Sequence, residues 1–347
     1  MDVRLSPEQQ ALRDSGTQIV DRLGPDAVGQ LDDLERVDKL DAAVLASGWR
    51  QLRVSEPGGE PLASAVEVAI VAEELGRGLA DTPFLGPTLA AELRRLAGAC
   101  PATAPETVAL SLPMAELALS AAGEAPSGAV AVDARGAASA LVLLAAPQGH
   151  VLATVSLGSL EVRTDLTRPA AAVDRATEVA PIGQPSRPLT VDDLADWTAM
   201  GLALTSADLV GTMRGVIDLT VAYAAERRQF GRPIGSFQAV QHLLADAFVL
   251  MEGSRSIARH AAWAVDALPT GAALAAAAGA KAYCARAART VCETSIQVHG
   301  GIGNTWECLA HVFLRRALLS SELLGGAGAS LERVLAHHGI GGGDGLQ

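Results

Sequence analysis

Apolar positions along this chain change period twice. Up to about residue 96 they recur every three to four residues, the spacing of one helix face. Ser6-Pro7-Glu8-Gln9 reads as a helix start with proline at the first helical position, and residues 66–75 form a second periodic stretch. Pro57, Gly58, Gly59 and Pro61 interrupt the pattern between them. From about residue 107 to 188 the chain breaks into short β-prone runs, VALSL, GAVAVD, ALVLLA and HVLATV, separated by Gly, Pro and Ser. Helical spacing returns at Leu189. Thr190 is placed to cap a long helix with Asp192 and Asp193 in its first turn and Leu202, Leu209, Met213, Ile217 and Val221 along one stripe, closing at Arg227 and Arg228.

A second helix is expected to start at Ser236 as its cap and to run through Val240, Leu244, Ala247 and Met251 to about residue 267. A third, over 271–298, presents Ala273, Ala277, Ala280, Cys284, Ala288 and Val291. Such small side chains let helix backbones approach, which places this helix at the centre of a bundle or at a subunit contact. A fourth spans roughly 305–324 and stops at Gly325-Gly326; a short fifth precedes a glycine-rich tail, Gly341 to Gly345. The expected fold is mainly α with a small β-domain: a helical domain over residues 1–105, the β-domain over 106–188 and a helical bundle over 189–347.

Composition narrows the function. With 347 residues, 49% of them hydrophobic, the chain can bury a sizeable core in two or three units. A net charge of -12 and a pI near 5.0 argue against a nucleic-acid partner or an anionic membrane, so any anion must be held by a local group of cations. No apolar run approaches the roughly 18 residues that span a bilayer, and MDVRLSPEQQ lacks the basic and apolar regions of a signal peptide; the expected location is cytoplasmic. Cys100, Cys284, Cys292 and Cys308 show no CxxC spacing, so no metal or disulfide is expected, and Cys284 and Cys292 share a helix face as small apolar residues.

One stretch carries candidate chemistry, YAAERRQFGRPIGSFQAVQHLLAD, from Tyr223 to Asp246. Arginines at a helix end suit the negative pole of its dipole and can reach a phosphate. Gln229 adds an amide and Phe230 a flat apolar face; Gly231, Pro233 and Gly235 break the helix before Phe237 and Gln238 open the next. Further along, QVHGGIGNTWE (Gln297 to Glu307) follows a helix, whereas a dinucleotide fingerprint of the Rossmann type follows a strand; on its own the glycine pair reads equally as a helix C-cap, and His299 as a packed histidine.

Together these two segments closely resemble signature segments of the acyl-CoA dehydrogenase family, and EELGRGLADTPFLGPTLA (Glu73 to Ala90) resembles its N-terminal helical part. The resemblance implies the fold of that family: a helical domain, a β-domain and a C-terminal four-helix bundle. It also implies FAD as cofactor, shared across a subunit boundary, with one chain holding the flavin ring and acyl chain and the other reaching over to the ADP half. Carried over, Arg227 and Gln229 would contact the pyrophosphate, Phe230 and Phe237 would pack near the adenosine half, and Gln238 would help fix it. Gln297, Val298, His299, Gly300 and Gly301 would form a second wall, the glycines allowing close backbone approach and amide donation.

The family reaction needs a carboxylate to take the α-proton of an acyl-CoA thioester while FAD accepts the β-hydride. The two family positions for that carboxylate fall on Leu324 and Gly201, neither of which can accept a proton. Glu322, two residues before Leu324, is rotated by about 200° on a helix and reads as a solvated helix-end carboxylate. Where the family has a Thr-Glu-Pro segment in its flavin-ring part, this chain has Ser111-Leu112-Pro113, then Met114-Ala115-Glu116, and the family's tryptophan-containing segment is absent from the β-domain; Asp165-Leu166-Thr167-Arg168 resembles the later strand segment of family members. This pattern resembles the shortened, base-less subunit of heterotetrameric actinobacterial enzymes that act on steroid side chains. It implies an α2β2 assembly with a full-length acyl-CoA dehydrogenase subunit that binds most of the acyl-CoA. Two other readings stay open: a self-sufficient homo-oligomer with a relocated base such as Glu322, and a pseudoenzyme that binds acyl-CoA or serves as a scaffold.

Overall fold

Ser6 accepts the backbone N–H of Gln9, and the Gln9 side chain accepts that of Ser6, so the first helix, α1 (Pro7–Leu23), opens on a reciprocal cap with proline in its first turn. The same device starts α3 (Ala65–Arg77) at Ser64 and Glu67, and α5 (Val191–Glu226) at Thr190 and Asp193. The computed structural model describes residues 4–120, 124–126, 128–147, 149–161, 164–173 and 177–340; the tail from Gly341 to Gly345 lies outside them. The N-terminal helices are completed by α2 (Leu34–Ala46) and α4 (Leu85–Leu96).

Between Glu106 and Pro181 the described chain forms nine short strands: β1 (Glu106–Ser111), β2 (Glu116–Leu117), β3 (Leu119–Ser120), β4 (Val130–Ala131), β5 (Ser139–Ala146), β6 (Gly149–Ser156), β7 (Leu160–Glu161), β8 (Ala170–Ala172) and β9 (Val179–Pro181). Their order is β7-β8-β4-β1-β5-β6-β9, with β2 and β3 paired on β1 and β5. The β5–β6 hairpin, in register from Ser139 opposite Ser156 to Ala146 opposite Gly149, is its longest ladder. Val142, Ala153, Val155 and Ala171 fill a small alanine- and valine-rich core of its own. The Asp133 carboxylate ties this unit to the helices, accepting the backbone N–H groups of Phe84 (2.7 Å) and Gly86 (3.3 Å) at the start of α4.

After α5 the chain makes a two-residue hairpin of β10 (Arg228–Gln229) and β11 (Arg232–Pro233), then α6 (Gln238–Ala267), α7 (Thr270–His299), α8 (Ala310–Glu322) and α9 (Ala327–His337). The fold is that expected: mainly α, with a small β unit in the middle. Helix α7 packs against α5, α6, α8 and α9, and its Ala273, Ala277, Ala280, Cys284, Ala288 and Val291 are all buried, so the small-residue stripe is the bundle's inner seam. Val221, expected on the inner stripe of α5, is instead 49% exposed, because the buried face at this end of the helix runs through Thr220 and Ala224. The fourth helix of the bundle starts at Ala310 rather than near residue 305, since the glycine turn after α7 continues as a 3-10 segment to Asn304.

Helices α3 and α5 cross almost backbone to backbone. A Cβ at Gly211 would lie 1.9 Å from the Glu73 carbonyl oxygen, and one at Gly76 2.6 Å from that of Asp208, so only glycine permits this approach. Below the crossing, the Asp208 carboxylate accepts Arg316 Nε (3.0 Å) and Nη2 (2.6 Å) and the Ser320 hydroxyl (2.6 Å), while Arg168 lies at 3.4 Å and pairs with Asp165 at 2.7 Å. The segment Asp165–Arg168 is thus a buried turn, not a strand, and it joins the β unit to α5 and α8. Opposite charges this close hold the Asp208 carboxyl below its usual range although burial opposes it.

Removing one partner of so buried a network leaves the others without compensation, so Asp208→Ala is expected to cost about 3–5 kcal/mol in urea unfolding. The exposed Lys39–Glu35 pair provides the contrast. Lys39→Ala is expected to leave the urea unfolding midpoint unchanged.

A candidate cofactor half-site at one end of the bundle

Helix α5 ends at Glu226, with Arg227 as its extended C-cap and Arg228 already in the hairpin, so neither arginine lies in the last helical turn as the sequence suggested. The turn is of the primed type: Arg228 faces Pro233, Gln229 faces Arg232, and Phe230 and Gly231 between them have φ of 52° and 79°. Glycine accepts this conformation; an aromatic residue does so at a cost of about 1–3 kcal/mol. Phe230 gains no cover in return, being 92% exposed at the tip. Its ring meets Phe237 edge-on at 6.1 Å, and the Arg232 guanidinium lies 4.2 Å over the Phe237 ring.

Ser236 does not cap α6. Its hydroxyl bonds the Pro233 carbonyl at 2.7 Å within a 3-10 turn, and Phe237 is the N-cap, without a side-chain bond to the helix. The positive end of the α6 dipole, at Gln238, therefore stands beside the hairpin without a side-chain cap, an arrangement that favours an anion. Arg227 and Arg228 are exposed, and neither meets a carboxylate among the described residues.

The second segment arrives at the same place because α5 and α7 run side by side. Thr220 shares a short hydrogen bond with Ser295, and Tyr223 stacks on His299 with ring centroids 4.3 Å apart. His299 is buried and its Nδ1 lies 2.9 Å from the Ser295 carbonyl, so its ring is a packing element and not part of an open surface. Gly300 has φ of 64° and closes α7, with its N–H directed to the carbonyls of Gln297 and Ile296; that amide is no longer free for donation to a ligand. Gln297, Gly300 and Gly301 are exposed and Val298 is half-buried. A Cβ at Gly300 or Gly301 would meet nothing within 4 Å, so whatever these glycines leave room for is not this chain. Tyr223 and Arg232 join the expected residues. Both stand inside the quoted stretch, but only the folded turn shows Arg232 over Phe237 and Tyr223 against His299.

The two positions at which the resemblance would place a base meet each other. A Cβ at Gly201 would lie 2.1 Å from Leu324 Cδ1, so the leucine side chain fills the space that a larger residue at 201 would need. Leu324 is fully buried at φ 63° and is fixed from both sides, its N–H donating to the Met114 carbonyl (2.8 Å) and its carbonyl accepting Arg333 Nη1 (2.9 Å). The Ser111–Glu116 segment thus docks on the leucine through Met114. Below it, Lys281 Nζ reaches the Thr205 hydroxyl (3.0 Å) and the carbonyls of Leu323 (2.9 Å) and Ser320, the last through a short bond; it closes the end of α8. Glu322 is exposed and lies against Gly326, 2.8 Å from a Cβ built there, at the start of α9. No group of His, Cys, Asp and Glu suited to a metal occurs among the described residues, and no helix among them is long and apolar enough to cross a membrane.

Residues 198–339 match the family description "Acyl-CoA dehydrogenase, C-terminal domain". Over 282 residues the chain is 35% identical to the acyl-CoA dehydrogenase IpdE2 of Mycobacterium tuberculosis, covering 80% of this chain and 79% of that protein. It is 38% identical over 249 residues to FadE34 of the same organism, where the match spans 67% of this chain and 35% of the longer relative. Among solved structures, the Tcur3481-Tcur3483 steroid ACAD variant superposes with a TM-score of 0.80 at 25% identity, covering 96% of this chain and 98% of that one. The ChsE4-ChsE5 complex of Mycobacterium tuberculosis shares the fold, with a TM-score of 0.75 at 22% identity, over 98% and 99% of the two chains.

The buried Lys281 amine beneath Leu323 gives the closed end of α8 a pH signature. Burial pushes the Lys281 pKa down from 10.5 to about 7. Between those values the unfolded chain holds a proton that the folded chain lacks, so stability rises with pH, by roughly 1 kcal/mol per unit. Burial raises the Cys284 thiol to about 12, which acts in the opposite sense. The lysine contribution is therefore read as the difference between wild type and Lys281→Met in urea unfolding from pH 7 to 9.5: the variant is expected to lose the rising slope. Parallel pH profiles would contradict the assignment.

Proposed function

The chain belongs to the acyl-CoA dehydrogenase family, and on that premise we propose that it is the non-catalytic subunit of a hetero-oligomeric, FAD-dependent enzyme, completing the cofactor site of a full-length partner. The observation that carries this reading is the contact between Leu324 and Gly201: both base positions are apolar, buried and filled by one another. FAD supplies hydride acceptance at the β-carbon of the thioester. The residues at the end of the bundle fit the ADP half of such a group and not its ring half.

On the fitting side stand two guanidinium groups without carboxylate partners, an uncapped helix start, an exposed phenylalanine and glycines bordered by open space. Arg227 and Gln229 would hold the pyrophosphate by charge and hydrogen bond, Phe230 and Phe237 would cover the adenosine half, and Gln238 would fix it from the start of α6. Gln297, Val298 and Gly301 would form the second wall, with His299 and Gly300 acting through the backbone they shape. On the other side, the Ser111–Glu116 segment rests on Leu324 through the Met114 carbonyl. A groove of about 370 Å³ lined by Glu116, His150, Trp197 and Arg333 remains beside this contact.

The assembly proposed is α2β2, cytoplasmic, with the acyl-CoA held mainly by the partner. The name of the steroid ACAD neighbour favours a thioester carrying a steroid side chain as substrate class. Glu322 does not support a self-sufficient enzyme, because it is exposed at the end of α8, against Gly326. A scaffold role gives no physical reason to keep Arg227 and Arg228 uncovered at a strained turn.

The test is the flavin affinity of the assembled complex. Arg227→Ala is expected to weaken FAD binding by about 1.5–3 kcal/mol, the size of one charge-assisted hydrogen bond, with the melting temperature of the flavin-free complex unchanged. Unchanged FAD affinity would refute the assignment.

A further inference from the structure

A cavity of about 130 Å³ lies between the N-terminal segment and helices α1, α3, α5 and α6. It shares no residue with the cofactor half-site or with the Leu324–Gly201 contact. Its walls are mostly apolar, from Leu5, Val66, Ile70, Ala207, Ala262 and Trp263. An apolar cavity of roughly 150 Å³ stays dry and accepts a benzene-sized guest, so this one matches a compact body of about six carbons.

Four polar side chains reach the same wall, and three are engaged. Gln9 bonds Ser6 and Glu67; Glu73 accepts Arg214 at 2.8 Å and Arg255 at 3.3 Å; Arg4 also has a partner. Arg259 is the exception. Its Nε is buried with no hydrogen-bond partner, and no carboxylate pairs with it among the described residues. Leaving a buried donor unmade is costly, and a charged one more so. Burial, helped by repulsion from Arg255 and Arg13, pushes the Arg259 pKa below its ordinary value against the attraction of Glu73 and Glu252. The spare charge is positive, and it stands at the wall of an apolar chamber.

We propose that this cavity is a binding site for a small monocarboxylate with a compact apolar body, its head group on Arg259 and its body between Ile70 and Trp263. A carboxylate offers two acceptor oxygens in the plane of the guanidinium fork, which satisfies Nε and a neighbouring N–H together. A neutral ligand of the same shape fills the chamber but leaves the charge unmet.

The experiment is isothermal titration of the full chain, in the assembly in which it purifies, with cyclohexanecarboxylate and with cyclohexanemethanol. The acid is expected to bind saturably at or below millimolar concentration and the alcohol about tenfold or more weakly. Arg259→Gln is expected to weaken the acid by the same factor and to leave the alcohol unchanged, and Ala69→Leu, which fills the cavity from α3, to abolish both. Should the leucine variant fail to fold, Arg259→Gln carries the test alone. No saturable heat from the acid, equal affinity for acid and alcohol, or acid binding retained by Arg259→Gln would overturn the proposal.

Discussion

The contact on which the functional account depends is a leucine pressed against a glycine. Leu324 occupies the space beside Gly201, its amide is tied to Met114 and its carbonyl to Arg333, and Lys281 closes the helix end just before it. Four segments distant in sequence converge on one apolar point. Truncating such a buried leucine typically costs about 2–5 kcal/mol. On the proposed reading, the same packing that stabilises the fold removes the place where a proton acceptor would stand. Neither position alone carries this conclusion, because a single lost carboxylate can be replaced from another helix. Their mutual filling leaves no vacant volume for one at that point.

The other end of the bundle shows the reverse economy. There the chain leaves polar and aromatic groups exposed and holds Phe230 in a backbone conformation that disfavours it. Strain of this kind persists where surroundings over-determine it, and it clusters at binding sites. The surroundings are the two-residue turn, fixed by the Arg228–Pro233 register, and the paired ends of α5 and α7, fixed by Thr220–Ser295 and Tyr223–His299. A half-site that is rigid but open suits a ligand seated mainly in another subunit, and cofactor and assembly would then stabilise each other.

Much of this was legible in the sequence, for reasons that differ by element. The caps at Ser6 and Thr190 and the alanine stripe of α7 are local patterns, and local patterns specify helices. The hairpin differs in detail from its sequence pattern: the Arg227-Arg228 pair reads as a helix end and Ser236 as a cap, because composition does not reveal that Phe230 adopts a left-handed conformation. The family resemblance places His299 and Gly300 in a ligand wall, while taken singly they read as a packed histidine and a helix C-cap; the fold packs the ring and ends α7 on the Gly300 amide. The Arg168–Asp208–Arg316 network and the Lys281 clamp join residues far apart in the chain, so no window of sequence displays them. A lone lysine within the alanine-rich run of α7 was the one visible hint.

The most direct measurement is the flavin count of the complex assembled with its partner subunit, taken from flavin absorbance against protein mass after gel filtration. The account predicts one FAD per pair of unlike chains and none retained by this chain purified alone. One FAD per chain, or a stoichiometric flavin in the isolated protein, would contradict it.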